Sequence, residues 1–254
     1  MTNEGLTNDL DGRTALVTGG GGGIGRACVR ALAGAGAKVH VVDRDRPSAE
    51  EIAGEVGGWA HVVDLADVTA VERLPTQVDI LVNNAGLQHL APLHEFPFDK
   101  FTLLQQVMVT APFLLIRRSL PHMYGRGWGR IVNISSAHGL RASANKVAYV
   151  TAKHALEGLS KVTALEGAVH GVTSNCVNPG YVRTPLVTNQ VAAQAALHGI
   201  PEEQVVEQVL LDRAAIKRLI EPEQVAALVL WLCGEHASAM TGAALPLDGG
   251  WTAN

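Results

Sequence analysis

The stretch "TALVTGGGGGIGRACVRALAGAGA", Thr14 to Ala37, determines how this chain folds. The residues before the glycines predict a strand, and the Ala-rich residues after them have the periodicity of a helix. Glycines between a strand and a helix let the backbone approach a pyrophosphate, whose charge the helix N-terminus attracts. A flexible turn is the simpler interpretation of a glycine run, but the strand and helix that flank it favour a dinucleotide-binding turn.

The same alternation of strand and helix continues along the chain. Further strands are predicted in "KVHVVDRD", "AHVVD", "VDILVNNAG", "GRIVNIS", "VTSNCVNPG" and "AALPLDGG". Because these runs are apolar throughout, both faces of a parallel sheet are expected to be buried. We predict one α/β domain over residues 1–254, a doubly wound parallel sheet of about seven strands with helices on both faces. Ala- and Gln-rich helical sequence at about 186–220 interrupts the rhythm and is predicted to form a lid over a site.

Charge and composition exclude several classes of function. The chain has 20 Lys and Arg against 24 Asp and Glu, so it lacks the basic footprint of a nucleic-acid-binding protein. The start "MTNEGLTNDLDGR" lacks the parts of a secretory signal, and no apolar run is long enough to span a bilayer. We therefore expect a soluble, cytoplasmic protein with no membrane partner. Cys28, Cys176 and Cys233 are predicted to be buried thiols, and no metal site is expected.

Asp43 stands at the end of the second predicted strand. A carboxylate at that place accepts hydrogen bonds from the adenosine ribose and repels a 2′-phosphate, which favours NAD over NADP. Arg44 leaves two interpretations open, because a guanidinium there is either a solvated loop charge or a ligand for a 2′-phosphate.

Tyr149 and Lys153 in "YVTAK" share one face of a predicted helix. A phenol, with a pKa of about 10, is a poor base at neutral pH, but a neighbouring ammonium and a positively charged nicotinamide stabilise the phenolate. Ser136, predicted to end the preceding strand, offers a hydroxyl to an oxygen whose charge changes during hydride transfer. Taken alone, the Tyr–Lys spacing is a weak pattern and is more typical of an amphipathic helix surface.

The motifs become specific when they are taken together. "TGGGGGIG", "NNAG", Ser136, "YVTAK" and "NPG" occur in the order typical of the short-chain dehydrogenase/reductase family, which the sequence resembles over its whole length. The resemblance implies a Rossmann-type fold, a homotetramer and NAD-dependent hydride transfer. In it Tyr149 is the base, and Lys153 lowers the pKa of Tyr149 and binds the nicotinamide ribose. Further cofactor contacts are implied for Gly19, Gly23, Ile24, Gly25, Asp64, Leu65, Asn83, Ala85, Gly86, Pro179, Gly180, Val182 and Thr184.

Two of these residues have structural interpretations that stay open. Asn83 either lies along the ribose or ties neighbouring strands together. Pro179 either borders the nicotinamide or simply ends a strand, because proline cannot donate to the sheet ladder.

Met108 departs from the family pattern, which has an asparagine of a proton relay at this place. Methionine has no donor and only a weak acceptor. Activity is therefore lowered, another group substitutes, or the protein is a non-catalytic NAD-binding regulator. Gln105 and Gln106 lie close in sequence, but helical spacing does not give them the direction of Met108.

Longer stretches are similar to one subgroup of the family, the bacterial D-3-hydroxybutyrate dehydrogenases. They include "NNAGLQHLAPLHEFP", "SSAHGLRASANKVAYVTAKHALEGLSKV", "NPGYVRTPLVTNQ" and "LDGGWTAN". The resemblance implies that a substrate carboxylate is bound by Gln88, His138, Lys146 and Gln190. Such recognition suits a short hydroxy acid, whose small apolar area leaves specificity to charge and hydrogen bonds.

The expected reaction is reversible NAD-dependent oxidation of D-3-hydroxybutyrate to acetoacetate. If the protein is an enzyme, the alternative substrate is another small hydroxy or oxo acid.

Trp251, in the terminal "PLDGGW", either belongs to a subunit contact or neighbouring site, or anchors the core of its own chain.

Overall fold

A computed structural model describes residues 10–253, which form a seven-stranded sheet in which all the strand pairs are parallel. Its order is β3-β2-β1-β4-β5-β6-β7. The strands are β1 (Thr14–Thr18), β2 (Lys38–Asp43), β3 (Trp59–Val62), β4 (Ile80–Asn83), β5 (Gly129–Ile134), β6 (Val172–Pro179) and β7 (Ala244–Leu247). The main helices are α1 (Gly23–Gly34), α2 (Arg46–Val56), α3 (Val68–Val71), α4 (Phe98–Gln105), α5 (Ala111–Arg126), α6 (Val147–Gly167), α7 (Pro185–Thr188), α8 (Val191–His198), α9 (Glu202–Val205) and α10 (Pro222–Cys233).

Both faces of the sheet are buried, as the continuous apolar strands predicted. In β1, Ala15 and Val17 point to the apolar cluster that contains residues of α1, α2 and α10. Leu16 points to the opposite cluster, which contains residues of α3, α4, α5 and α6. Because strand side chains alternate between faces, a strand covered on both sides is apolar at most positions, and its buried polar side chains need hydrogen-bond partners. The predicted α/β class and the seven strands are confirmed.

The end of β5 corrects one prediction. The strand ends at Ile134, so Ser136 lies two residues beyond it rather than at its end. The Ser136 hydroxyl accepts a hydrogen bond from the His138 N–H and caps the short 3-10 turn Ala137–Gly139. A serine able to cap a turn competes with continuation of the strand.

The segment predicted as a lid is helical and begins at Pro185. Helices α7, α8 and α9 and a π-helical turn, Val206–Leu210, follow one another there. Val187, Ala195, Val205 and Leu210 form a small apolar cluster of their own, against which Tyr181 packs. The segment therefore has a local core, and its function as a lid stays a prediction.

Residues 1–9 of the polar N-terminal stretch, and Asn254, lie outside the described residues. Across 10–253 no helix combines the length and apolarity that crossing a bilayer requires. The three cysteines are buried and free, as predicted. Within the same range, no three His, Cys, Asp or Glu side chains come together as a metal would need.

Candidate active site

A cleft of about 360 Å³ runs along the carboxyl ends of the strands. It lies where the strand order reverses, because β1 is flanked by β2 on one side and by β4 on the other. In open α/β sheets this switch point is where ligands bind, since the loops after the two strands diverge there.

The cleft brings together nearly all the residues singled out in the sequence. At one end lie Asp43, Asp64 and Leu65, in the middle the glycine turn and Tyr149, and at the other end Lys146 and the predicted carboxylate ligands. The predicted residues that line it are Gly19, Gly23, Ile24, Asp43, Asp64, Leu65, Ala85, Gly86, Gln88, Ser136, His138, Lys146, Tyr149, Lys153, Pro179, Gly180, Val182, Thr184 and Gln190.

Two predicted cofactor residues lie outside the cleft lining. Gly25 is buried beneath the turn, where an added Cβ would come within 2.0 Å of the Gly19 carbonyl oxygen. Gly25 thus allows close packing of helix on strand, and its cofactor contact stays a prediction. Asn83 is also buried, and its amide donates to Asn133 Oδ1 at 2.9 Å, joining β4 to β5. The strand-tying interpretation of Asn83 is therefore the one that its contacts support, and Asn84 lines the cleft in its place.

The cofactor end fits a dinucleotide on geometric grounds. Gly19 has a φ of +62°, a left-handed conformation that favours glycine. Asp43 is held rigidly, since its two carboxylate oxygens accept the N–H groups of Gly21 at 2.9 Å and Asp45 at 3.0 Å. Arg44 also lines the cleft, so a negative and a positive side chain share the adenosine end.

Tyr149 and Lys153 lie on one face of α6, as their spacing predicted. The Lys153 Nζ is 5.5 Å from the centre of the Tyr149 ring and donates to the Ile134 carbonyl at 2.7 Å. Burial lowers the pKa of Lys153 to about 8. Burial also raises the pKa of Tyr149, and a hydrogen bond with Ser136 opposes that shift. The phenolate therefore needs positive charge beside it, which a protonated Lys153 provides.

The substrate end contains a buried cation without a carboxylate partner. Lys146 is 4% exposed, and its Nζ donates to the Tyr181 hydroxyl at 3.2 Å. No carboxylate in residues 10–253 forms an ion pair with it, and burial lowers its pKa to about 8. A buried ammonium in this setting favours an anionic ligand, because an unpaired buried charge is costly.

The side chains around Lys146 are polar, and some of their hydrogen-bonding atoms have no partner. In the described chain the side-chain oxygens of Gln88 and Gln190 are buried without a hydrogen-bond partner. The His138 ring lies 3.0 Å from the Ser143 hydroxyl through Nε2. Burial, with Lys146 and Arg213 nearby, lowers the pKa of His138 to about 3, so the imidazole is neutral at ordinary pH. A neutral ring can donate one hydrogen bond without adding charge.

Met108 is 1% exposed and lies in a π-helical turn, Gln106–Thr110, between α4 and α5. Its sulfur is 3.6 Å from where a Cβ on Gly86 would stand, so it reaches the wall of the cleft. Gln105 does not replace the missing amide, because its side chain donates to the Ala148 carbonyl at 2.8 Å. The relay position thus holds a thioether.

Trp251 packs inside its own chain, as its core interpretation requires, and a subunit contact of the terminal stretch stays a prediction. Trp251 is 4% exposed within its own chain, lines the cleft, and its ring lies 5.1 Å from that of His138. The C-terminus therefore closes the substrate end of its own site.

These features recur in proteins of known family. The sequence profile described as short chain dehydrogenase matches residues 13–195. The chain belongs to the short-chain dehydrogenase family. It is an oxidoreductase that uses a nicotinamide cofactor, as the glycine turn and the cleft predicted.

Full-length relatives in this family are similar to the chain throughout. The D-beta-hydroxybutyrate dehydrogenase of Rhizobium meliloti (strain 1021) is 43% identical, with 95% of this chain and 99% of the relative covered. A protein of the same name from Cupriavidus necator is 41% identical over 96% of this chain and 99% of its own length. Among solved structures, a putative 2-deoxy-d-gluconate 3-dehydrogenase from Agrobacterium tumefaciens with bound NADP has a TM-score of 0.85 and 33% identity, covering 97% of this chain and 98% of its own.

Sequence reasoning within the family missed Tyr181 and Ser143. Tyr181 follows the "NPG" motif directly after β6, so its place at the carboxyl end of a strand was a usable signal. Ser143 lies in the loop between Gly139 and α6, where no pattern in the sequence distinguishes it.

Proposed function

We propose that this protein oxidises D-3-hydroxybutyrate to acetoacetate reversibly with NAD. The observation that carries the proposal is Lys146, a buried ammonium with no carboxylate partner in the described chain, at the end of the cleft beyond Tyr149. A small carboxylate there gains a charge-assisted hydrogen bond from Lys146, and the Gln88 and His138 side chains lie in the same wall. The names of the two full-length relatives support the same substrate.

NAD is the proposed cofactor. The glycine turn would hold its pyrophosphate, Asp43 the adenosine ribose, and Lys153 the nicotinamide ribose. The fixed Asp43 carboxylate in the cleft disfavours a 2′-phosphate through like-charge repulsion. NADP is the second candidate, favoured by Arg44 in the same wall and by the NADP bound to the Agrobacterium tumefaciens structure.

Side chains of the protein would accept the proton and orient the substrate. Bound NAD supplies the acceptor for a hydride from the carbon that bears the hydroxyl. Lys146 fixes the carboxylate of the substrate, and Ser136 hydrogen-bonds the reacting oxygen. Tyr149 removes the hydroxyl proton, and the ammonium of Lys153 stabilises the phenolate before that step. Because the reacting carbon lies between these fixed groups, one enantiomer is presented correctly.

A different hydroxy or oxo acid remains the alternative substrate. The substrate end also contains the apolar side chains of Leu186, Val187 and Trp251, which suits a short carbon chain.

The homotetramer and the cytoplasmic location implied by the sequence stay proposals. A group of exposed apolar side chains on and just after α6 supports the tetramer, since such groups favour association between subunits. They are Val162, Leu165 and Val169.

The test is NADH formation with purified protein and single enantiomers of 3-hydroxybutyrate. We expect turnover of the D form with NAD, little with the L form, and a lower kcat/KM with NADP. Activity with a sugar acid but not with either enantiomer would replace the substrate. A preference for NADP would make Arg44 a phosphate ligand. Binding of NADH without oxidation of any hydroxy acid would restore the regulator interpretation.

A further inference from the structure

The catalytic helix carries a third charged residue that lies outside the cleft lining. Glu157 follows Lys153 on α6 at the interval that separates Lys153 from Tyr149, so the three share one face. Glu157 is 7% exposed, which is unusual for a glutamate. A buried carboxylate needs a reason for its place, because desolvation of an ion is costly without partners.

Glu157 is held by a fully bonded amide. Asn178 on β6 is completely buried, and its Nδ2 donates to Glu157 Oε1 at 2.6 Å and to the Ser136 carbonyl at 3.0 Å. The Asn178 Oδ1 accepts the Leu245 N–H of β7 at 3.1 Å. Because all three bonds fix the amide, the carboxylate is anchored to β6 and, through it, to the edge strand β7 and the turn after β5.

We propose that Glu157 is a positioning residue that keeps Lys153 protonated in its buried site. The proposal rests on the assignment of Tyr149 and Lys153 made under Proposed function. The Lys153 ammonium has a carbonyl partner, Ile134, but no ion pair at contact distance in the described chain. Glu157 supplies the negative charge that offsets its burial, from the side of Lys153 away from Tyr149.

The groups that face Lys153 support this balance. Burial lowers the pKa of Lys153, and the charges of Cys176 and, after it, Glu157 raise it. From β6 the Cys176 thiol also faces it, but burial raises the pKa of Cys176, so that the thiol is neutral in the working range. His138, in the 3-10 turn, lines the same cleft but is neutral. Met108, in the π-helical turn, carries no charge. Tyr149, 5.5 Å from Lys153 Nζ, is negative only after it has lost its proton, so before that step Glu157 is the negative charge acting on Lys153 among these groups of residues 10–253.

The decisive variant is Glu157→Gln, which keeps an oxygen for Asn178 and removes the charge. The Lys153 ammonium should then lose its proton at lower pH and stabilise the Tyr149 phenolate less. We expect kcat to fall by about tenfold near neutrality, and the ratio of parent to variant kcat to increase with pH. KM for the nicotinamide cofactor should change little. Glu166→Gln, an exposed glutamate on the same helix, is the matched control and should keep the parent profile.

The measurement is kcat and kcat/KM from pH 6 to about 10 with the hydroxy acid that the parent oxidises best, a range that spans the lowered pKa of Lys153, about 8. A Glu157→Gln profile that superimposes on the parent's, or a loss that is equal at every pH, would overturn the proposal. If the glutamine variant does not fold, Glu157→Met removes the same charge with a side chain of similar length and no polar group to desolvate, and the same shift is expected. Tyr149→Phe is assayed alongside. If Tyr149→Phe is inactive and the Glu157→Gln profile matches the parent's, only the role of Glu157 is refuted. If Tyr149→Phe is active, the assignment of Tyr149 as the base is refuted.

Discussion

At its cofactor end the cleft presents backbone, whereas at its substrate end it presents side chains from separate segments. The glycine turn and the Asp43 carboxylate owe their places to one contiguous strand–turn–helix–strand unit, β1 to β2, with Gly25 packed beneath the turn. Lys146, His138, Tyr181 and Gln190 come from the residues before α6, the turn after β5, the end of β6 and the lid segment. Changes at the first end should therefore act through stability and geometry, and changes at the second through affinity for one class of ligand.

The residue between the two ends should give the largest effect. Tyr149→Phe removes the hydroxyl that accepts the proton and leaves the ring in place. We expect kcat to fall by about 10²–10⁴, the usual contribution of a general base. Dissociation constants for NADH, measured by fluorescence, should stay within about twofold of the parent, since each cofactor contact is kept. Near-normal turnover would remove Tyr149 from the mechanism.

Lys146→Ala should distinguish the substrate end from the cofactor end. KM for 3-hydroxybutyrate should rise by about 10–100-fold, because a charged hydrogen bond to the carboxylate is lost, while KM for NAD stays unchanged. In the parent, KM for the hydroxy acid should also rise above about pH 8, where the buried ammonium loses its proton. Below that pH Lys146 is charged and KM should be flat. The alanine variant should show no such rise, and Lys161→Ala, an exposed lysine of α6, should behave like the parent.

Gly25→Ala addresses the opposite end. The new Cβ would overlap the Gly19 carbonyl, so the turn has to open and the protein should lose about 1–3 kcal/mol of unfolding free energy. NADH affinity should fall as well, since the same turn would hold the pyrophosphate. Gly34→Ala, at the exposed end of the same helix with open space around it, is the control and should be neutral or slightly stabilising. Equal denaturation midpoints for the two variants would contradict the packing role of Gly25.

Tyr181→Phe is a milder change at the substrate end. It removes the hydroxyl that accepts from Lys146 and leaves the ring against the apolar cluster of the lid segment. We expect KM for the hydroxy acid to change by about threefold to tenfold, because the lost bond acts on the substrate only through the placement of the Lys146 ammonium, with the melting temperature nearly unchanged. A large drop in melting temperature would show that the hydroxyl stabilises the fold instead of tuning Lys146.

Met108→Asn should have the smallest effect. If the missing asparagine weakens a proton relay, the substitution should raise kcat by a few fold, most clearly at lower pH where Tyr149 is hardest to deprotonate. KM should change little. An amide in a site that is 1% exposed also costs about 1–3 kcal/mol if it finds no partner, so thermal unfolding is measured in parallel. A folded variant with the parent's kcat at every pH would show that the relay does not limit turnover.

The two ends of the cleft also differ in how well sequence predicted them. Gly19, Asp43 and the Tyr149–Lys153 pair follow from local rules, because strand ends and helical spacing fix their direction within a few residues. Gly25 and Asn83 lie outside the cleft lining, since a motif gives a residue's position in the chain but not which neighbours pack around it. Tyr181 was missed because its partner, Lys146, lies on another segment. Ser143 was missed because the loop that brings it to His138, five residues before it, has no regular periodicity.

The sequence by itself determined the sheet, its two buried faces and the turn at the cofactor end, because apolar strands and glycine geometry are local properties of the chain. It also placed Tyr149 and Lys153 on one helical face. Only the tertiary structure decided that Lys146 is buried without a carboxylate partner in the described residues, and that Glu157 stands behind Lys153 on an amide from β6. Burial and pairing of charges depend on which segments meet in space, and long-range contacts set them.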